Sequence, residues 1–428
     1  MTVWTSAAVA RVAGRALVAV GSYDHDLYCL DAVTGELRYS FTTGGRVQSS
    51  PAFWSDGASS WLYVASNDRL VYALDADLGR QRWVHAVESY SPTLGGARLS
   101  APVLGRVSDR PAVFVGHWVW DRSLSSSFQR ARLSALTARE GRPIWSVDLG
   151  DNELTAPVFL GREGRRWVLV GSSSGVLFAI DADTGRVVWQ HTELDAIRSP
   201  PAVLDLEAKS WVISGSKYGA VRSLELSTGR VGWSFKTGDR IAGSPMVADL
   251  GSERRVFVGS YDGGLYALEA ATGALIWRYS AGAGIYSSPT LALEGDRALV
   301  LISAWDHSLH AVSALRGELE FATFTGRPLW AVAGLDASLW ASPVSAKING
   351  RWVSFLGSYD GTFRALPLDD AGRAAPPIRS NLSFWLSFPL ALAPTLGLAL
   401  LLTHRHRSRV QKPDVPSPEC RQVPENPD

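Results

Sequence analysis

The stretch from Val256 to Leu291 reads VFVGSYDGGLYALEAATGALIWRYSAGAGIYSSPTL, and it decides the fold. Its apolar residues alternate, or run in short β-branched stretches bounded by Gly, Asp and Ser, which is typical of strands and turns. We predict one strand at Val-Phe-Val, one at Leu-Tyr-Ala-Leu and one that carries Trp277, with an inner strand after each Ser-Pro. No part of the stretch has the periodicity of a helix.

The pattern recurs along most of the chain. A Gly followed four positions later by an aromatic residue appears seven times, and the gaps between these glycines are 44, 62, 44, 44, 44 and 44 residues. Repeats of about 40 to 45 residues with four strands each are the signature of β-propeller blades. The pairs are Gly35 and Tyr39, Gly79 and Trp83, Gly141 and Trp145, Gly185 and Trp189, Gly229 and Trp233, Gly273 and Trp277, and Gly317 and Phe321.

An apolar run that ends in Gly or another small residue appears eight times, once more than the Gly turn. We therefore predict an all-β, eight-bladed β-propeller of four-stranded blades. The Gly supplies a positive φ in the turn, and the aromatic side chain fills the wedge between blades. The last blade, residues 341–366, lacks a fourth strand with a Trp. We expect Met1–Trp4 to close the ring there, although only three positions separate Trp4 from Ala7. Either this seam is tight, or the chain begins downstream of its natural start.

Composition excludes several classes of function. The 428 residues carry 42 Lys and Arg against 41 Asp and Glu, and a net charge of +1 offers no general attraction to nucleic acid. The two cysteines, Cys29 and Cys420, are far apart in sequence, which excludes a disulfide framework or a thiolate zinc site. We therefore expect no nucleic-acid partner and no metal.

Repeats of the form VGSYDGGLYALEAATGALIW followed by SSP resemble the pyrroloquinoline-quinone-like, or quinoprotein-like, β-propeller repeat. The resemblance covers residues 1–368. It implies the fold, but it says little about activity, because members include quinoprotein alcohol dehydrogenases, the barrel-assembly lipoprotein BamB and extracytoplasmic sensor domains. In architecture the chain is similar to BamB-type propellers.

The resemblance to quinoprotein dehydrogenases implies features that this sequence lacks. Those enzymes typically carry two adjacent cysteines over the quinone and a calcium site of Glu, Asn and Asp, and neither a Cys-Cys dipeptide nor a matching local motif occurs here. No P-loop, nucleophile elbow or HExxH motif is present either. His307 and His310 are three positions apart in a hairpin, so we expect them to point to opposite faces as hydrogen-bonded surface residues. We predict a protein that is not an enzyme and has no cofactor.

The resemblance also implies a ligand face, built from the loops between second and third strands and the loops between blades. Three of these loops are enlarged, at 84–100, 118–132 and 325–340, and long loops on a rigid scaffold often carry function. The alternative is structural, since Asp-Gly pairs such as Asp262-Gly263 are common turn formers. The predicted partner-binding residues are Trp118, Trp120, Arg198, Arg240, Trp305, His307, Trp330 and Trp340.

A different segment follows the repeats. We predict a linker at 369–382, a transmembrane helix at 383–403 and a short basic, Pro-rich tail at 404–428, because no charged residue occurs from Ser380 to Thr403 and about 20 apolar residues span a bilayer. Arg405, Arg407 and Arg409 would keep the tail in the cytoplasm and the propeller outside it. The first 20 residues do not read as a signal peptide. Either a signal peptide is missing from this chain, or a tail anchor allows the opposite orientation.

These observations favour a membrane-anchored, non-catalytic propeller that binds a protein or peptide partner as a scaffold or sensor. Aromatic and Arg residues on one face are typical of protein recognition. The alternative is an oxidoreductase that depends on pyrroloquinoline quinone.

Overall fold

The structure, a computed structural model, describes residues 5–87, 98–120, 129–150, 153–162, 164–206, 209–251, 253–294, 297–324, 330–332, 341–357 and 363–368. For residues 119–120, 129–130, 294, 323–324 and 330–332 it describes the backbone only. Within these ranges the chain forms strands and turns, and no helix is long and apolar enough to cross a membrane. The predicted membrane segment at 383–403 lies outside them.

The first four blades follow one another along the chain. Blade 1 contains β1 (Ala8–Val12), β2 (Arg15–Gly21), β3 (Asp26–Asp31) and β4 (Leu37–Thr42). Blade 2 contains β5 (Ala52–Ser55), β6 (Ser60–Ala65), β7 (Leu70–Asp75) and β8 (Gln81–Ala86). Blade 3 contains β9 (Arg98–Leu99), β10 (Val103–Val107), β11 (Arg110–Trp120), β12 (Gln129–Thr137) and β13 (Pro143–Asp148). Blade 4 contains β14 (Val158–Arg162), β15 (Arg165–Gly171), β16 (Val176–Asp181) and β17 (Val187–Thr192).

The other four blades complete the set. Blade 5 contains β18 (Ala202–Leu206), β19 (Lys209–Gly215), β20 (Ala220–Glu225) and β21 (Val231–Lys236). Blade 6 contains β22 (Met246–Asp249), β23 (Arg254–Gly259), β24 (Gly264–Glu269) and β25 (Leu275–Ser280). Blade 7 contains β26 (Thr290–Glu294), β27 (Arg297–Ser303), β28 (Ser308–Ser313) and β29 (Leu319–Phe324). Blade 8 contains β30 (Trp330–Val332), β31 (Val344–Ile348), β32 (Arg351–Gly357) and β33 (Phe363–Pro367).

Each blade is an antiparallel sheet, and blades 1 to 7 keep their main strands in sequence order. The predicted eight blades of four strands, with the inner strand after Ser-Pro and the aromatic residue on the outer strand, are therefore confirmed. In blade 6, Gly259 of β23 pairs with Leu265 of β24, and Trp277 of β25 pairs with Ala267. Blade 3 departs from the pattern only by the short extra strand β9, which pairs with β11.

Blade 8 is assembled out of sequence order. Its strands are arranged β31-β32-β33-β30, so the outer strand comes from the segment that precedes the inner strand. Trp330 pairs with Ala365 of the third strand, which is the register that Trp277 has with Ala267. The expectation that Met1–Trp4 supplies this strand was wrong, because β30 already occupies the position beside β33. Met1–Trp4 itself lies outside the described residues.

The ring is closed between blades 8 and 1 by side-chain packing. Val18 and Val20 of β2 form one hydrophobic cluster with Phe355 of β32 and Ala365 of β33. Phe355 and Ala365 are fully buried, and β1 and β31 also lie against each other. Apolar burial at about 25 cal/mol per Å² therefore stabilises the closing junction as it does the others.

The outer-strand aromatic residues link each blade to the next. Most of the tryptophans donate the indole Nε1–H to a backbone carbonyl oxygen in the following blade, which secures an otherwise buried polar group. The pairs are Trp83 to Ala138 at 2.9 Å, Trp145 to Ala182 at 2.9 Å, Trp189 to Leu226 at 2.6 Å and Trp233 to Ala270 at 3.0 Å. In blade 1 the Tyr39 hydroxyl donates to Ala76 in the same way, at 2.9 Å.

The turn glycines of blades 2 to 7 also receive the aromatic ring of the preceding blade. A Cβ on Gly229 would lie 2.8 Å from the Trp189 ring, which is too close for any side chain, and Gly229 has a φ of 72° as well. The sequence predicted these glycines as turn residues only, and their role in packing was not predicted. The pairs of ring and glycine are Tyr39 and Gly79, Trp83 and Gly141, Trp145 and Gly185, Trp189 and Gly229, Trp233 and Gly273, and Trp277 and Gly317.

Three Gly→Ala variants separate the two roles. We predict that Gly229→Ala, which meets Trp189 at a positive φ, costs the most, with at least about 2 kcal/mol of unfolding free energy. Gly251→Ala, at a φ of 90° but with nothing within 4 Å, costs about 1 kcal/mol. Gly161→Ala, with neither constraint, costs little. Urea denaturation of the three variants checks the order, and equal losses for Gly229→Ala and Gly251→Ala would contradict it.

Candidate functional site

The loops between second and third strands meet the loops between blades on one side of the ring, as expected. The Asp262 carboxylate accepts the backbone N–H of Gly238 at 2.8 Å, and the Asp68 carboxylate accepts that of Gly44 at 2.7 Å. The backbone N–H of Lys217 donates to the Ala196 carbonyl at 2.9 Å between blades 5 and 4. We call this side the loop face, and the side that carries the Thr-Gly turns the turn face.

Aromatic rings form a cluster on the loop face where blades 6 and 7 adjoin. The Tyr261 ring meets Trp305 edge to face at a centroid distance of 4.9 Å, and Tyr286 at 5.8 Å. The Arg240 guanidinium lies over the Tyr261 ring, 5.0 Å from its centroid, in a cation–π contact. Arg240 is exposed and Trp305 is 39% exposed, so the cluster offers an amphipathic surface to a ligand.

A second polar cluster lies where blades 1 and 2 adjoin. The Gln48 amide nitrogen donates to the Tyr23 hydroxyl at 2.5 Å, and the Asn67 amide donates to the Gln48 carbonyl oxygen at 2.6 Å. Arg46 lies over the Tyr23 ring, 5.2 Å from its centroid. This chain of contacts fixes the Tyr23 ring while leaving the Arg46 side chain exposed.

The two clusters influence each other through charge. Burial raises the pKa of the Tyr286 hydroxyl above its ordinary value; the positive charge of Arg198 opposes that shift, and Glu153 and Tyr23 reinforce it. Burial likewise raises the pKa of Tyr261 to about 12, with Tyr286 adding to the shift and Arg240 opposing it. Both phenols therefore stay protonated at neutral pH.

The aspartates of the loop face serve the blades themselves. Asp262 accepts from the Tyr266 hydroxyl at 2.5 Å and from the backbone N–H of Gly264 at 2.7 Å. Asp68 accepts from the Tyr72 hydroxyl at 2.6 Å in the equivalent place. This is the turn-forming role that the sequence left open beside a binding role.

Blade 7 replaces the tyrosine of this pair by a histidine. His310 is buried; its Nε2 lies 2.9 Å from Asp306 and its Nδ1 lies 2.9 Å from the Tyr279 hydroxyl. The expectation of a surface position was wrong for His310 but not for His307, which is exposed in the turn at a φ of 65°. Among the described residues, no group of three or more His, Cys, Asp or Glu is placed to hold a metal ion.

The structure brings only some of the predicted contact residues together on the loop face. Arg198, Arg240, Trp305 and His307 are exposed there. Trp118 is 8% exposed and belongs to a hydrophobic cluster, so its indole offers little surface to a partner.

The side chains of the remaining predicted contact residues are not described. Trp120 and Trp330 lie in β11 and β30, where only the backbone is described, and Trp340 lies outside the described residues. The register of Trp330 is that of the outer-strand aromatic residue of a blade.

The loops that the sequence predicts for the ligand face include Tyr23, Tyr261 and Tyr286, but these tyrosines are not among the predicted contact residues. The prediction favoured tryptophans, most of them in enlarged loops, whereas the described aromatic surface is centred on tyrosines in loops of ordinary length. Their position was a signal that could have found them: Tyr23 and Tyr261 directly precede the turn aspartate, and Tyr286 directly precedes Ser-Ser-Pro.

Comparison with known proteins places the chain among propellers of the same repeat type. The model of the family described as outer membrane protein assembly factor BamB matches residues 2–116, 129–208 and 217–358. The structure of BamB from Moraxella catarrhalis is similar with a TM-score of 0.56 at 18% identity, covering 86% of this chain and 95% of that one. Quinohemoprotein alcohol dehydrogenase from Comamonas testosteroni is similar with a TM-score of 0.63 at 14% identity, covering 88% and 75%. Such identities show the fold alone.

A curated relative matches a shorter stretch. Over 91 residues the chain is 33% identical to the beta-alanine-activating enzyme of Danio rerio. The match covers 21% of this chain and spans 7% of the length of that protein.

His117, at the edge of the loop face, makes stability depend on pH. It is 1% exposed with its Nε2 3.0 Å from the Ser134 hydroxyl, and burial, with help from Arg132 and His85, lowers its pKa to about 4. The unfolded chain binds a proton near pH 6.5 and the folded chain only near pH 4. Stability is therefore full above pH 6.5 and falls as the pH is lowered towards 4, by about 1.4 kcal/mol per unit.

We predict that His117→Gln flattens this pH dependence. Urea midpoints measured between pH 7 and pH 4.5 check it, with the exposed His307→Gln as the matched control, which keeps the slope of the unmodified chain. An unchanged slope in His117→Gln would show that other groups cause the acid sensitivity.

Proposed function

The chain belongs to the outer membrane protein assembly factor BamB family, and from this premise we propose that it is a non-catalytic module that binds a protein partner through its loop face. The observation that carries the proposal is the cluster of Tyr261, Tyr286, Trp305 and Arg240, in which Trp305 and Arg240 are exposed and the two tyrosines are half-buried. Tyr, Trp and Arg are the residues that most often dominate the binding energy of protein interfaces. The role is that of a scaffold or sensor, with the propeller as its rigid support.

Two features of the cluster suit a protein partner. The rings contact one another edge to face, so little rotamer freedom remains to be lost when a partner binds. Additional exposed apolar side chains lie on the same face: Leu194, which is 95% exposed, and Tyr218 beside Lys217. An apolar centre with basic and hydroxyl groups around it matches the anatomy of a non-obligate interface.

Site-specific photo-crosslinking in cells tests the proposal. A benzophenone amino acid placed at Trp305 or Tyr218 on the loop face should give a discrete adduct with another protein. The same amino acid at Leu78, which is 56% exposed on the turn face, is the matched control and should give none. The proposal fails if the folded Trp305 and Tyr218 variants give no adduct, or if Leu78 gives the same one.

A quinone-dependent oxidoreductase is the second candidate, supported by the dehydrogenase fold neighbour and by arginines that could pair with the carboxylates of the quinone. The residues fit it less well. The sequence has no adjacent cysteines, Cys29 is buried in β3, and no described group of carboxylates is placed to hold a metal ion. Saturable binding of pyrroloquinoline quinone with Ca²⁺, seen as a shift in its absorbance, would favour the enzyme over the binding module.

We also propose that residues 383–403 anchor the chain in a membrane, with the propeller outside the cytoplasm and the 404–428 tail inside. The support is the uncharged run from Ser380 to Thr403, followed by His404-Arg-His-Arg. This arrangement would keep the loop face in the extracytoplasmic compartment, where its partner must then lie.

Cysteine labelling tests the orientation. The chain has two cysteines, and Cys29 gives no background because it is fully buried and burial raises the pKa of its thiol to about 11. We predict that a membrane-impermeant maleimide leaves Cys420 unlabelled in intact spheroplasts and labels it after permeabilisation. Cys420→Ser is the control. Labelling in intact spheroplasts would place the tail outside the cytoplasm.

A further inference from the structure

We propose that the loop face recognises an acidic segment of its partner, whose carboxylates pair with Arg46 and Arg198; this inference rests on the proposed function. The site is the area between the Tyr23 cluster and the Tyr261 cluster. Its distinctive feature is a pair of exposed arginines that no described carboxylate pairs with, on a face where the turn aspartates Asp68, Asp262 and Asp306 are used within the blades.

Arg46 is held in place but is not neutralised. Its guanidinium lies over the Tyr23 ring, which is itself fixed by the hydrogen bond from Gln48. Among the described residues no carboxylate lies within ion-pair distance of Arg46, and the side chain is exposed. A guanidinium that is positioned by an aromatic ring, with its N–H groups free for a ligand, suits a bidentate pair with a carboxylate.

Arg198 has the same character at the junction of blades 4 and 5. It is exposed, it acts electrostatically on the hydroxyls of Tyr261 and Tyr286, and the described part of the chain places no acid within ion-pair distance of it. Arg98 and Arg240 differ, since they lie 3.5 Å from Glu153 and 3.8 Å from Asp239. Of these four arginines, Arg46 and Arg198 are therefore the two whose charge no described carboxylate pairs with.

The turn aspartates of the same face cannot move to neutralise these arginines without breaking the turns. Asp68 and Asp262 each accept a tyrosine hydroxyl and a backbone N–H from the neighbouring junction. Asp306 accepts from Ser308 and lies against His310. These hydrogen bonds hold the carboxylates at the base of the loops, so an incoming acidic group meets guanidinium and phenol groups first.

The two arginines come from different loops of the ring, so a ligand that pairs with both must carry more than one acidic group. Arg46 belongs to the loop between blades 1 and 2, and Arg198 to the loop between blades 4 and 5, three junctions further round an eight-junction ring. A peptide with several carboxylates can pair with both, and its other side chains can contact the Tyr261 and Trp305 rings of blades 6 and 7. The protonated phenols of Tyr261 and Tyr286 can donate hydrogen bonds to its carboxylates or carbonyl groups.

Fluorescence anisotropy with the full-length chain tests the inference. The probes are labelled peptides of alternating Glu and Ala, alternating Gln and Ala, and alternating Lys and Ala. We expect the Glu peptide to bind and the other two to bind much more weakly, with affinity that falls as salt is added. Arg46→Ala and Arg198→Ala should each weaken binding about tenfold, as expected for a lost charged hydrogen bond.

The matched control is Arg186→Ala, which removes the same charge from an exposed position on the turn face. It should leave the affinity unchanged. The inference is overturned if the Glu peptide binds no better than the Gln peptide, if Arg186→Ala weakens binding as much as Arg198→Ala, or if pyrroloquinoline quinone or citrate binds these arginines more tightly than the peptide does. Circular dichroism of each variant confirms that it is folded.

The two experiments distinguish failure of the acidic-segment inference from failure of the proposed function. If the Glu peptide does not bind while benzophenone at Trp305 still gives its adduct, the partner is a protein of other chemistry and only the acidic inference falls. If neither peptide binding nor an adduct is found, the proposed function falls as well.

Discussion

The interaction on which the whole ring depends is the contact between an aromatic side chain of one blade and the turn glycine of the next. The Trp189 ring occupies the space that a side chain at Gly229 would need, while its Nε1–H satisfies the Leu226 carbonyl. The same contact recurs along blades 1 to 7, so each of blades 1 to 6 packs its outer-strand ring against its successor. A single four-stranded blade could not bury that ring, and the repeat is stable only as a series.

Most of the fold could be predicted from the sequence because these contacts recur with the period of the blades. The exception is blade 8, whose outer strand precedes its inner strand. The signal was present: Gly326-Arg-Pro-Leu-Trp330 matches Gly141-Arg-Pro-Ile-Trp145, but it comes only nine residues after Gly317 and so falls out of phase with the 44-residue repeat. The 44-residue spacing predicts a blade only where the strands of that blade follow one another along the chain.

The site was harder to predict, since a repeat determines the scaffold but not which departures from it touch a ligand. Arg198, Arg240, Trp305 and His307 are exposed on the loop face, and their contact with a partner stays a prediction. Burial removed Trp118 from the accessible surface, because a large ring on an inward position of β11 joins the core. Tyr261 became central for the opposite reason: its neighbours Trp305, Tyr286 and Arg240 come from loops distant in sequence, and only folding brings them together.

A double-mutant cycle on Trp145 and Gly185 tests the central claim most directly. The Gly185→Ala substitution is made in the unmodified chain and in a Trp145→Leu background, and the loss of unfolding free energy is compared. Because a Cβ on Gly185 would lie 2.8 Å from the Trp145 ring, the account predicts a much smaller loss once the ring is gone, leaving only the cost of the positive φ. Equal losses in both backgrounds would contradict it and would reduce the glycine to a turn residue.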